Sequence, residues 1–167
     1  NELVKSLIEL DSMIGMTKIK EQIVSQIKFY LVNKHRRTDG LDSHMFHTTL
    51  TGPPGCGKTT IARIIANELG CSENNIIEID TAQFNGIDTV RDIRKSSMFT
   101  PLGGGIRVFI IDEVHNFSSR IVNGSKLARE IYIRLMNARN CRIILLSGTP
   151  IINNPYEIST IINLIRI

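Results

Sequence analysis

Eight consecutive residues have the types and spacing needed to hold a phosphate group. The stretch 52–59 is GPPGCGKT, which fits the pattern G-x-x-x-x-G-K-[ST] at every defined position. Glycine tolerates the backbone dihedrals that turn successive N–H groups inward, where they can surround phosphate oxygens. The Lys58 ammonium can reach the β- and γ-phosphates of ATP, and the Thr59 hydroxyl can ligate Mg²⁺. The predicted nucleotide-binding residues here are Gly52, Pro53, Pro54, Gly55, Cys56, Gly57, Lys58, Thr59 and Thr60.

Hydrolysis would also need a carboxylate near the metal and a base for the attacking water, and the pair Asp112-Glu113 offers both. The pair follows the apolar run 106–111, IRVFII, which predicts a strand buried on both faces. Ligands of parallel sheets bind beyond the carboxyl ends of the strands. We therefore expect Asp112 to hold the Mg²⁺ shell and Glu113 to orient the water that attacks the γ-phosphate. The predicted catalytic residues include Lys58, Asp112 and Glu113, and the predicted metal ligands are Thr59 and Asp112.

Two hydroxyl residues, Ser147 and Thr149, lie at the end of another apolar run, RIILLS at 142–147. We expect this strand to lie between the loop-bearing strand and the acidic strand, where a hydroxyl could sense the γ-phosphate or the attacking water. The sequence does not choose between the two residues for this catalytic role. The alternative is that SGTP is only the turn that ends a strand. His115 could couple hydrolysis to a moving part, although a histidine at the start of a helix is more often structural.

Strand and helix patterns alternate along the chain, and this order predicts the fold that positions these residues. The strands are predicted at 46–51, 75–80, 106–111 and 142–147, and the helices at 17–37, 58–70 and 89–95 and after Ser125 and Asn154. Right-handed crossovers then give an α/β fold, a P-loop NTPase three-layer α/β/α sandwich with a mostly parallel central sheet. We expect an N-terminal helical segment over 1–45 and an ATPase core over 46–167.

Composition narrows the class of protein and its partners. A hydrophobic content of 42% and a charged content of 22% are typical of a globular protein, and a net charge of +4 is too modest to predict nucleic-acid binding by itself. Three isolated cysteines predict neither a disulfide framework nor a zinc site, and they favour an intracellular location, cytoplasmic or nuclear. The sequence contains no apolar run of membrane-spanning length, so we predict no membrane partner. The chain begins with Asn1, which is typical of a fragment.

Residues 10–117 resemble AAA+ ATPases. The segment 13–16, MIGM, is similar to the family's box before the first helix, which implies that Met13 and Ile14 line an adenine pocket. The closer resemblance is to clamp-loader ATPases of the replication-factor-C and bacterial polymerase III kind. It covers residues 50–117 and rests on LTGPPGCGKTTIARIIANELGC, IIEIDTAQFNGIDTVRDIRK and GGGIRVFIIDEVHNF. It implies ATP and Mg²⁺ as cofactors, other ATPase subunits as oligomeric partners, and contacts with DNA and a sliding clamp.

The C-terminal part departs from the clamp-loader pattern. The arginine-bearing Ser-Arg-Cys motif is missing from the sequence, and no lid domain or second RecA-like lobe is predicted. Residues 107–167 resemble instead the motif II–III region of superfamily 2 helicases, of Swi/Snf-like and viral kinds, on LLSGTPIINNPYEISTIINLIR. We therefore interpret the sequence as a composite joined near 112–115, DEVH, and a viral origin is one possibility. In such ATPases, one subunit normally contributes an arginine to the ATP site of its neighbour. Arg139 and Arg142 are candidates for this arginine, although ordinary surface arginines are commoner.

Three functions remain open from the sequence. The first is a clamp-loader-like AAA+ ATPase acting in DNA replication or repair, which would hydrolyse ATP slowly in isolation. The second is the N-terminal ATPase lobe of a superfamily 2 DNA helicase or translocase. The third is a nucleotide-binding interaction module with little turnover.

Overall fold

The computed structural model of this chain describes residues 2–36, 47–82, 93, 105–138, 140–149 and 154–165. Four strands lie in these ranges: β1 Thr48–Thr51, β2 Ile76–Asp80, β3 Arg107–Asp112 and β4 Cys141–Ser147. The helices are α1 Glu2–Ser12, α2 Thr17–Arg36, α3 Lys58–Glu68, α4 Val114–Val122, α5 Lys126–Met136 and α6 Tyr156–Ile165. A short 3₁₀ turn, Glu73–Asn75, precedes β2.

The four described strands form one parallel sheet in the order β1-β4-β3-β2. β4 therefore lies between the loop-bearing strand and the acidic strand, as predicted. The register places Thr51 beside Ser147 and Asp80 beside Asp112. Since parallel strands all end at the same edge, the loop after β1, the acids after β3 and the hydroxyls after β4 meet there.

Helices cover both faces of the sheet, which confirms the three-layer fold. Val108 and Ile110 of β3 pack on one face with the core that includes α3 and residues of α1 and α2. Phe109 and Ile111 point to the other face, into the core formed with α4, α5 and α6. This alternation with period two explains why the central strands are continuous apolar runs, because both of their faces are buried.

Several helices begin or end at the capping or glycine residues that the sequence predicted. Ser125 caps α5 by accepting a hydrogen bond from the backbone N–H of Ala128 at 3.3 Å. Asn154 accepts a hydrogen bond from the N–H of Tyr156 at 3.0 Å, at the start of α6. Gly70, with φ of 73°, ends the turn after α3.

Two helices were not delimited from the sequence, although α1 lies within the predicted N-terminal helical segment 1–45. α1 precedes the predicted helix at position 17, and its Leu10 is buried against the α3 side of the sheet. α4 follows the acidic pair directly, with Val114 and Phe117 in the core. The predicted helix at 89–95 lies outside the described residues except for Ile93, which is buried. Within the described ranges, the helices are all too short or too polar to cross a membrane.

Candidate nucleotide site

The loop after β1 has the backbone geometry that its glycines predict. Gly55 and Gly57 adopt φ of 73° and 80°, in the left-handed region that residues with a Cβ avoid. A Cβ on Gly57 would also come 2.5 Å from the Met13 Cε atom. α3 begins immediately afterwards at Lys58 without a side-chain cap. Its first N–H groups and the positive end of its dipole are therefore available for an anion.

The Lys58 side chain lies inside this loop and is only 9% exposed. Its Nζ atom donates hydrogen bonds to the carbonyl oxygens of Gly52 at 2.7 Å and Pro53 at 2.9 Å. The Cys56 Sγ atom lies 3.9 Å from the same ammonium. The ammonium thus lies in the loop with two neutral carbonyl oxygens as its acceptors. This arrangement is suited to exchanging carbonyl oxygens for phosphate oxygens.

The other residues predicted for this loop differ in their exposure. Pro53, Pro54 and Gly55 are exposed, whereas those that are half-buried are Gly52, Cys56, Gly57, Thr59 and Thr60. Thr59 and Thr60 line a recess of about 340 Å³ between α3 and Glu9 of α1. The loop therefore has one open side and one side packed against the N-terminal helices.

The acidic pair lies at the carboxyl end of β3 in a constrained turn. The Asp112 carboxylate accepts a hydrogen bond from the backbone N–H of Glu113 at 2.9 Å. Glu113 has φ of 50° and ψ of 47°, a left-handed conformation that a residue with a Cβ adopts at a cost of about 1–3 kcal/mol. Surrounding contacts must hold this conformation.

Thr81, which follows β2, supplies such a contact and was missed in the sequence. Its buried hydroxyl lies 2.8 Å from the carbonyl oxygen of Asp112 and 2.6 Å from that of Glu113. The Thr81 N–H also donates to the Asp112 carbonyl at 3.3 Å. The signal that could have found it is its position after NIIEID, because the last residue of β2 pairs with Asp112 in the parallel register.

Ser147, His115 and Glu113 form a hydrogen-bonded group at the same edge. The His115 Nδ1 atom lies 2.8 Å from Ser147 Oγ and 3.2 Å from Glu113 Oε2. Ser147 is 1% exposed, and its Oγ donates to the carbonyl oxygen of Thr149 at 2.7 Å. The Thr149 side chain is exposed. Ser147 is thus buried and hydrogen-bonded within the chain, whereas Thr149 faces solvent.

This group continues directly into the phosphate loop. The Gly52 N–H donates to the carbonyl oxygen of Ser147 at 3.1 Å, one residue beyond the Thr51–Ser147 pair of the sheet. A Cβ on Gly148 would lie 3.6 Å from the Gly52 carbonyl oxygen, so the two loops touch closely. The structure therefore brings the predicted loop, Glu113 and Ser147 into one connected region.

A cavity of about 480 Å³ opens beside the loop, between α2 and β1. Met16 lines it together with Gly52, Pro53 and Lys58. Of the two residues predicted to line an adenine pocket, Met13 is half-buried against the loop and Ile14 is 97% exposed, and neither of them lines this cavity. Met16 is the residue of the segment 13–16 that lines the cavity, and the adenine pocket stays a prediction.

The donor set suits a magnesium ion held partly by its substrate. Mg²⁺ prefers oxygen ligands and is usually bound by one or two carboxylates together with phosphate oxygens. Thr59 and Asp112 are the predicted protein ligands, and Asp112 keeps oxygen capacity beyond the one hydrogen bond to Glu113. Among the described residues, no group of three or more His, Cys, Asp or Glu side chains could hold a metal by itself.

Of the two arginines considered as trans arginines, Arg142 lies in the described part of the chain. Arg142 is 8% exposed and is the second residue of β4, five residues before Ser147. At 3.3 Å per residue it lies about 16 Å from the carboxyl end of the strand. Because Arg142 is buried at the amino ends of the strands, little of its side chain is accessible to a neighbouring subunit. Arg139 lies outside the described residues.

Comparisons with known proteins bear on this region as a whole. The model of the ATPase family associated with various cellular activities (AAA) matches residues 48–157. The replication factor C small subunit of Methanothermobacter thermautotrophicus is 30% identical over 129 residues, which cover 75% of this chain and 36% of that protein. The Holliday junction branch migration complex subunit RuvB of Campylobacter hominis is 39% identical over 111 residues, covering 66% and 28%.

Two further matches extend the comparison. The DNA polymerase III subunit tau of Bacillus subtilis is 37% identical over 89 residues, covering 41% of this chain and 16% of that protein. A solved structure from a study of katanin self-assembly shares the fold with a TM-score of 0.59 and 21% identity, covering 90% of this chain and 53% of that one. The chain thus spans 16–36% of the length of these three curated relatives.

The family match extends beyond the point where a composite junction was predicted. It runs through DEVH at 112–115 and ends at position 157, and so includes most of the segment that resembles superfamily 2 helicases. That resemblance, and the composite origin inferred from it, stay predictions.

Proposed function

The chain belongs to the AAA family of ATPases, and we propose that it binds MgATP in the loop 52–59 and hydrolyses it as one subunit of an oligomeric machine that acts on DNA. The observation that carries this proposal is the continuity between the loop and the acidic pair. The Lys58 ammonium lies in the loop, the loop is bonded to Ser147, and Ser147 leads through His115 to Glu113. A phosphate-binding loop alone would support binding, whereas a loop joined to a carboxylate supports hydrolysis.

Each residue has a separate task in this proposal. The N–H groups of the loop and the start of α3 would bind the phosphates, and Lys58 would exchange its carbonyl partners for the β- and γ-phosphate oxygens. Thr59 and Asp112 would hold the magnesium ion, which supplies charge neutralisation on the phosphates when bound. Glu113 would orient a water molecule and accept its proton. Catalysis of this kind is mainly positioning and electrostatics.

Thr149 is our choice for the hydroxyl that senses the γ-phosphate. A hydroxyl has one hydrogen, and that of Ser147 is directed to the Thr149 carbonyl oxygen. The Thr149 side chain is exposed to solvent. It lies one residue beyond Gly148, which packs beside the loop. Ser147 then serves as a link between backbone segments.

We infer that a neighbouring subunit completes the site. In the described residues, the arginine with the most suitable sequence position, Arg142, is buried at the opposite edge of the sheet. Arginines supplied by a partner raise phosphoryl-transfer rates by roughly 10³–10⁵-fold. Hydrolysis by the isolated chain should therefore be slow and should rise on assembly.

We propose a clamp-loader-like role in DNA replication or repair as the finer function. Relatives named as a replication factor C small subunit and a DNA polymerase III subunit support it. The match to a branch-migration subunit, at 39% identity, favours a second candidate, a motor acting on DNA junctions. Both candidates share the ATPase site and differ in the DNA that should stimulate it.

The test is a set of steady-state phosphate-release assays at several protein concentrations. Turnover should rise with concentration, and further with primer–template DNA and a sliding clamp. A response to four-way junctions alone would favour the branch-migration candidate, and a response to linear duplex alone would favour a translocase lobe. Turnover that is independent of concentration and of every DNA would contradict the proposed assembly and DNA role.

A further inference from the structure

We propose that His115 is a positioning residue for Glu113: its Nδ1–H group holds the Glu113 carboxylate beside the end of β4. This inference rests on the proposed ATPase function, because it concerns where the water-activating carboxylate is held. The observation that carries it is the pair of contacts made by one nitrogen, 2.8 Å to Ser147 Oγ and 3.2 Å to Glu113 Oε2.

Counting hydrogens fixes the direction of both contacts. The Ser147 hydroxyl has a single hydrogen, and at 2.7 Å it is donated to the Thr149 carbonyl oxygen. Ser147 Oγ must then accept from His115, so Nδ1 carries a hydrogen. Glu113 Oε2 lies within reach of the same N–H and, as a carboxylate, can only accept. The neutral imidazole is therefore the Nδ1–H tautomer.

The surroundings make this arrangement specific. The His115 side chain is 12% exposed, and Ser147 is 1% exposed, so water competes little for Nδ1. The ring is carried by the first turn of α4, and the backbone carbonyl of His115 accepts a hydrogen bond from Ser118 Oγ at 3.1 Å. A ring fixed at its backbone and at Nδ1 has few alternative orientations.

The Glu113 carboxylate needs such a partner. Its side chain is 31% exposed and extends from a left-handed backbone, so the contact with His115 is what restrains it here. His115 ties it to Ser147, whose carbonyl accepts the Gly52 N–H of the phosphate loop. The carboxylate is thereby placed relative to the loop through three consecutive hydrogen bonds, and its displacement by 1 Å can lower turnover by about 10²-fold.

Two substitutions separate positioning from simple packing. Asparagine at position 115 places an amide N–H near the position of Nδ1, whereas glutamine extends its amide toward the position of Nε2. We expect His115→Gln to lower kcat by about tenfold to a hundredfold with little change in KM for ATP, because Glu113 does not bind the ground-state nucleotide. His115→Asn should keep kcat close to that of the wild type.

The donor assignment can be measured without any variant or any activity. Long-range ¹H–¹⁵N spectra of the histidine rings should show the Nδ1–H form for His115. His47 is an internal reference with the opposite pattern, because its Nδ1 accepts the Ile143 N–H at 2.9 Å. A single sample thus compares the two tautomers, and the chain contains four histidines, so assignment by substitution is practical.

The outcomes separate this proposal from the proposed function. An Nδ1–H ring together with a kcat loss in His115→Gln and recovery in His115→Asn supports it. An Nε2–H ring, equal turnover in His115→Gln and wild type, or equal losses in both variants overturns it while leaving the ATPase function intact. A higher kcat in His115→Gln also overturns it, since the contact would then restrain Glu113. Absence of turnover in the wild type at every assembly state overturns both.

Discussion

Polar side chains at the two ends of the central sheet differ in the hydrogen bonds that they make. At the amino ends, the buried Arg142 donates through Nη1 to the carbonyl oxygen of the residue just before it, at 3.3 Å. At the carboxyl ends, hydrogen bonds join residues that are far apart in the sequence: Thr81 to Asp112, and His115 to Ser147. The amino ends also have one long-range bond, from the Ile143 N–H to His47 Nδ1 at 2.9 Å, but the bonds at the carboxyl ends tie three strands together around a loop. The candidate site lies at the second end.

The three cysteines also differ between the two ends of the sheet, in their burial. Cys56 is half-buried in the phosphate loop near Lys58, whereas Cys71 and Cys141 are buried on the amino side of the sheet. Loss of hydration by burial raises the pKa of the Cys71 and Cys141 thiols above the ordinary value. Since the thiolate is the reactive form, these two should be slow nucleophiles.

Alkylation kinetics should give the largest contrast between the two ends. Cys56 should react with iodoacetamide at least about 10³-fold faster than Cys71 and Cys141, because the buried thiols need an opening of the fold whose equilibrium constant is small. ATP should slow the reaction of Cys56 and leave the other two unchanged. Peptide mass spectrometry over time measures all three in one sample, and equal rates would contradict the comparison.

Glu113→Gln should remove hydrolysis while preserving binding. A general base contributes about 10²–10⁴-fold, so phosphate release should fall by that factor while the Kd for ATP stays near that of the wild type. Glu130→Gln, an exposed change on α5, is the charge-matched control. Unchanged phosphate release in Glu113→Gln would favour a nucleotide-binding interaction module over an ATPase.

Thr81→Val should affect both stability and turnover. The change keeps the shape of the side chain but removes the hydroxyl that lies at the Asp112 and Glu113 carbonyl oxygens. We expect the free energy of unfolding to fall by about 1–3 kcal/mol, because buried acceptors lose a donor, and kcat to fall as the Glu113 turn relaxes. Thr17→Val at the exposed start of α2 is the control. Denaturant unfolding that is identical in Thr81→Val and wild type would contradict this account.

The smallest effect is expected away from both ends of the sheet. Arg63 of α3 makes a two-point ion pair with Glu78 of β2, 2.5 Å from Nε to Oε1, but its side chain is 60% exposed. Arg63→Ala should lower the free energy of unfolding by less than about 1 kcal/mol and leave ATP turnover unchanged. A larger loss in chemical denaturation would mean that this pair does more than surface ion pairs usually do.

The elements that the sequence predicted best are those with strong one-dimensional signals. The apolar runs of β3 and β4 and the glycine pattern before α3 each have a local cause, so their place in the sheet followed from the α/β order. α1 was not specified, because its short apolar pattern has no cap signal of the kind seen at Ser125. Ile14 was expected in an adenine pocket, and its 97% exposure depends on how the turn after α1 is oriented.

The connections within the candidate site were not predictable in the same way. His115 and Ser147 are 32 positions apart and touch only because β3 and β4 are neighbours in register. Thr81 acquires its partners from the pairing of β2 with β3, and the left-handed backbone of Glu113 follows from the fold around it. Sequence patterns indicated which residue types could do chemistry, whereas tertiary pairing decides which of them meet.

The most direct test of the central claim is an ATP titration of the wild-type chain and Lys58→Ala by calorimetry, with and without Mg²⁺. The wild type should bind ATP, with Mg²⁺ strengthening the complex. Lys58→Ala should weaken binding by about 10²-fold or more, because an ammonium placed in the loop is lost, whereas Lys126→Ala on the exposed start of α5 should not. A wild-type chain that ignores millimolar ATP, or equal affinities in the two lysine variants, would contradict the account.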